Sequence, residues 1–142
     1  MNSVREIHNQ AMEYTILAAK YADPDNPDAN REYQRKAFEL ENQAALLALA
    51  NEETTVLTWS VLCRSAAWLA IQAGLFDEAE KIALTALVHG AHPEEKAKLL
   101  DALFMTSKKK GYYLRSFEEE NTSTPIPSFV TSPMQTAELV PR

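Results

Sequence analysis

The chain has 142 residues, 46% apolar and 24% charged, with three glycines and a formal net charge of −6. That length fits one domain with a modest core, about 110 residues of it able to fold, and the composition is that of a mostly helical globule. The acidic balance argues against nucleic acid as the main partner, and a single cysteine, Cys63, excludes an intramolecular disulfide or a multi-cysteine zinc site. Charge is unevenly spread. Residues 1–55 carry 5 basic and 10 acidic groups, residues 56–110 carry 7 and 6, and residues 111–142 carry 2 and 4. The acidic half is therefore the N-terminal one, and a basic docking site, if present, is expected after it. No leading basic-plus-apolar segment is evident and the central apolar run is interrupted by Arg64, so neither secretion nor a membrane anchor is expected, and the reading is cytoplasmic.

The spacing of Val4, Ile7, Ala11, Thr15 and Ala18 predicts a first amphipathic helix from about Ser3 to Tyr21, with Glu6, Asn9, Glu13 and Lys20 opposite. His8, on the widened apolar face, is expected to be a satisfied core or edge histidine. The run from Asp23 to Asp28 holds two prolines among aspartates and asparagine, and ends that helix in a loop. A second helix opens near Asp28 or Asn30 and continues to about Ala50, its seam formed by Tyr33, Ala37, Leu40, Ala44 and Leu47. Thr54 or Thr55 caps the next one.

That third helix, Thr54 to Gly74, is apolar on nearly every side, so flanking helices must sandwich it. Val56, Leu57, Trp59, Leu62, Cys63, Ala66, Ala67, Leu69, Ala70 and Ala73 all need neighbours. Its few polar residues, Thr58, Ser65 and Gln72, recur every seventh position with Arg64 beside them, and Val61 and Trp68 share the stripe. Gly74 is placed to close the helix in a left-handed conformation. Asp77 and Glu80 have the spacing of a capping box for a fourth helix that ends at Gly90. Pro93 suits the first turn of a fifth, with Glu94 and Glu95 at its start and Lys108 to Lys110 at its end; Gly111 is expected to stop it, and Ala97, Leu100, Leu103 and Phe104 to form its buried side. Residues 112–138 read as an extended or disordered tail, and Leu139 to Arg142 as the remnant of a tag-removal site.

The join of the third and fourth helices, with Gly74, Phe76, Ala79 and Ala86, resembles the tetratricopeptide repeat over Ser60 to Pro93. The first hairpin matches more loosely through Ala37 and Ala44, and Cys63, Ala66, Ala67, Ala70 and Ala83 stand where that family prefers bulkier residues or glycine. The resemblance implies an all-α, right-handed stack of two antiparallel helical hairpins plus a C-terminal capping helix over residues 1–111. It also implies a groove lined by Val61, Arg64, Ser65, Trp68, Ile71 and Gln72 that grips a peptide segment or a partner helix. Helical angle alone brings Thr58 to the same stripe, with Asn9 and Glu13 of the first helix added to the candidate surface.

The function expected is a non-enzymatic protein–protein interaction module, an adaptor or scaffold, with no cofactor and no metal. A second reading is a structural homodimeric bundle whose stripe is its dimer seam. A third is RNA or single-stranded DNA binding through residues 108–117, where bases interleave with aromatics. His89 and His92 read as helix-end residues rather than metal ligands, with His92 able to cap the next helix. Ser65 lacks a nucleophile-elbow context, Cys63 reads as a small core hydrophobe, and Thr124 to Val130 is a candidate linear motif.

Overall fold

The computed structural model describes residues 3–121, with side chains as far as Gly111. Over that range the chain forms α1 (Val4–Lys20), α2 (Arg31–Ala50), α3 (Val56–Gln72), α4 (Phe76–Val88) and α5 (Pro93–Asn121), with no strand among the described residues. Residues through Lys110 make one compact body, and the rest of α5 is described only as helix. Among the described residues no helix is long and apolar enough to cross a membrane. The candidate segments within residues 122–142, including Thr124 to Val130 and Leu139 to Arg142, lie outside the described residues.

The local signals account for most helix ends. Ser3 closes a full capping box on α1, its hydroxyl accepting from the Glu6 amide while Glu6 accepts from the Ser3 amide. Thr55, rather than Thr54, caps α3 by accepting from the Thr58 amide at 3.1 Å. Gly74 and Gly90 hold φ of 78° and 82°, and in each case the next amide reaches back to the fifth carbonyl upstream, Leu75 to Ala70 and Ala91 to Ala86. These are Schellman closures, which require the left-handed residue. His92 caps α5 through its ring, Nδ1 accepting from the Glu94 amide.

Direction follows from the cross-links. His8 meets Glu41 across the α1–α2 loop, and Lys110 meets Asp77 and Glu80, so both pairs run antiparallel. The α3–α5 contacts differ: the His92 amide donates to Ser60 Oγ, and one turn further along both helices Arg64 meets Glu95. Those two helices therefore lie side by side in the same direction.

The interior is built largely from alanine. Ala37, Ala44, Ala45 and Ala48 of α2 meet Ala66, Ala67 and Ala70 of α3, and Ala79, Ala83 and Ala86 of α4 continue the same cluster. Side chains this small let helices approach to the short end of the usual 8–10 Å separation. Trp59, Leu62, Phe38, Ile82 and Leu99 supply the bulk.

Four expectations are corrected. Gly111 does not stop α5, which runs on to Asn121, so the segment from Tyr112 begins as helix rather than extended chain. Asp77 and Glu80 form no capping box: α4 starts at Phe76 after Leu75 with no side-chain cap, and both carboxylates instead hold Lys110 at 2.8 and 3.1 Å. The buried side of α5 consists of Glu95, Leu99, Ala102 and Thr106, leaving Leu100 and Phe104 outside at 51% and 66% exposure, with Ala97 also exposed. A charged residue at 95 hid that stripe, because its counter-ion lies on another helix. Val56 and Leu57, finally, are exposed, since the first turn of α3 projects beyond its neighbours.

Candidate functional site

Where that first turn projects, three helix ends meet around an open groove of about 920 Å³. The start of α1 contributes Ser3, Val4, Arg5 and His8, and the end of α2 contributes Leu47, Ala50 and Asn51. Thr54, Leu57, Thr58, Val61 and Leu62 come from the turn and first half of α3. Leu57, Thr58, Val61 and Leu62 share one face because positions four apart lie one turn above each other. Leu47 and Leu57 keep 42% and 39% of their surface exposed in the groove wall.

Behind the wall sits a buried carboxylate. Glu41 is fully inaccessible, on the α2 seam with Ala37, Ala44 and Ala48, and both its oxygens face His8 Nδ1, at 2.8 and 3.1 Å. A carboxylate out of water must be paired, and the imidazole supplies that partner. The satisfied edge histidine expected at position 8 is thus accounted for, and Glu41 is the residue that sequence reasoning missed. Its signal was positional: Ala37, Glu41, Ala44 and Ala48 keep the helical seam spacing, and His8 interrupts the apolar face opposite.

Of the nine residues expected to line a groove, Thr58 and Val61 do so. The stripe then continues down α3 outside it. Ser65, Trp68 and Ile71 are half-buried, Trp68 and Ile71 packing against the core, and Gln72 is exposed. Asn9 and Glu13 are exposed on α1 without lining the groove. Arg64 is committed internally, its Nε donating to Glu95 Oε1 at 2.7 Å, with Lys98 adding a second cation at 3.4 Å. Burial of the Glu95 carboxylate pushes its pKa up, but the hydrogen bonds and charges of Arg64 and Lys98 outweigh that and hold it below the ordinary value.

The remaining chemistry is structural. Burial pushes the Cys63 thiol up to about 12, far from the reactive range. His89 Nδ1 lies 2.8 Å from the Thr85 carbonyl, and no group of three or more metal-ligating side chains occurs among the described residues. Of the lysines read as a nucleic-acid grip, Lys108 lies over the Phe104 ring and Lys110 bridges to α4, whereas the side chains of Tyr112 to Phe117 lie outside the described residues.

Compared with known proteins, the chain matches no family model, no curated protein and no solved structure.

Proposed function

We propose that this chain is a non-enzymatic interaction module, an adaptor or scaffold that docks an apolar segment of a partner protein in the groove between α1, α2 and α3. One observation carries the reading: Leu47 and Leu57, two large apolar side chains, stay exposed in the wall of an open concavity. Concave apolar surface of that kind is the usual mark of a docking site. The parallel placement of α3 and α5, linked by contacts 31 and 32 residues apart, supports a two-helix repeat of roughly tetratricopeptide length, about 34 residues. In this reading α3 and α5 are the first helices of successive units, and the groove belongs to the unit before.

The test is selection of displayed peptides on the full chain. Binders are expected to lose affinity on Leu57→Glu while the melting temperature stays within about 2 °C, because a glutamate in the first turn of α3 suits the helix end. Peptides that bind Leu57→Glu as well as the native chain would remove the reading.

A structural homodimer is favoured by a different observation. Leu84 and Val88 on α4, and Leu100 and Phe104 on α5, are exposed at 45%, 81%, 51% and 66%. Concentration-dependent sedimentation that Phe104→Lys abolishes would favour that reading over a monomeric adaptor.

A further inference from the structure

The groove wall carries a charge pattern opposite to that of the chain around it. Among the described residues that line it, the only ionisable ones are Arg5 and His8, with no carboxylate, although the chain as a whole carries −6. Arg5 is exposed and enters no ion pair among the described residues. His8 is held from behind, its Nδ1 against both oxygens of Glu41, and its side chain, 36% exposed, lines the groove.

The walls also restrict the conformation of whatever docks there. They are helix ends and one turn, with no strand among the described residues, so an extended peptide finds no edge to pair with, whereas a helix brings its backbone already satisfied. We infer that the occupant is an amphipathic helix with acidic flanks, its apolar stripe seated on Leu47 and Leu57 and its aspartate or glutamate side chains set against Arg5. This rests on the docking reading above and adds the chemistry of the partner.

The experiment takes the tightest peptide from the selection that is sensitive to Leu57→Glu, together with a version in which its acidic residues are replaced by lysine. Affinities of both for the full chain are measured at low salt and at high salt. The acidic form should bind the native chain at least about fivefold more tightly than the lysine form, and the gap should shrink as salt screens it. Arg5→Glu should remove most of the gap; glutamate in the first turn of α1 suits that helix end, so the variant folds. His8 is left intact, because removing it would strand Glu41. Equal affinity of the two forms, or a gap that Arg5→Glu leaves unchanged, overturns the inference while the docking reading stands. A selection yielding no Leu57-sensitive binder removes both. A full-chain dimer that Leu57→Glu dissociates makes a second copy the occupant and likewise overturns the inference.

Discussion

Arg64 and Glu95 show how much one residue's surroundings decide. On helical angle Arg64 belongs to a polar stripe open to solvent, yet its guanidinium ends 2.7 Å from a carboxylate whose side chain is 6% exposed. The two partners are not equivalent. Arg64 keeps 30% of its side chain in water and can be solvated when the pair is lost, whereas Glu95 cannot. Arg64→Ala should therefore cost about 2–3 kcal/mol, against roughly 1 kcal/mol for Glu95→Gln, which removes the buried charge along with the pair. Urea denaturation of the two variants measures that order. The pH dependence has a definite sign: a carboxylate held below its ordinary pKa stabilises the fold above the unfolded value, near 4.3 for glutamate, and that contribution is lost as pH falls through the lower folded value. Melting temperatures followed from neutral pH to about 3 should fall less steeply for Glu95→Gln than for the native chain.

At the scale of the helix, α5 separates what periodicity can reveal from what it cannot. Leu100, Leu103 and Phe104 are the conspicuous apolar residues; Leu103 does pack against the core, but Leu100 and Phe104 mark the wrong side. The packed face is Glu95, Leu99, Ala102 and Thr106, where the glutamate meets a cation from α3 and Thr106 donates its hydroxyl proton to the Ala102 carbonyl at 2.7 Å. The Thr106 bond is local to α5, whereas the cation that meets Glu95 comes from another helix and is not visible along the α5 sequence. Leu99→Ala should cost about 2–4 kcal/mol because it opens a cavity, while Phe104→Lys should change stability by under about 0.5 kcal/mol; chemical denaturation of both distinguishes the two faces. Helices whose ends carry local chemistry were far more legible. Ser3 with Glu6, Thr55, Gly74, Gly90 and His92 each act within a few residues of themselves, so the sequence around them suffices. The groove was half legible: Thr58 and Val61 lie on the stripe, but Arg5 and Leu47 reach it only because three helix ends converge, and no linear pattern encodes that meeting. Nor did bulk charge locate it, since its cations come from the acidic N-terminal part of the chain.

For the molecule as a whole, Cys63 reports opening. Its thiol is buried among Ala66, Ala67 and their neighbours, with its pKa raised to about 12, so a thiol reagent reaches it only when α3 is released from its flanking helices. Labelling of the native chain near neutral pH should be slower by orders of magnitude than in denaturant and should speed up in Leu99→Ala, the logarithm of its rate rising in proportion to the lost stability. Fast labelling of the native chain would show that α3 is not enclosed. The way bulk is distributed leads further. With methyl groups occupying much of the seams and leucines, two valines, an isoleucine and a phenylalanine left on the outside, the allocation of grease is partly inverted relative to an ordinary globule. Adhesion is concentrated on the rind, so neighbours and crowding will govern this protein's behaviour as much as its own interior does.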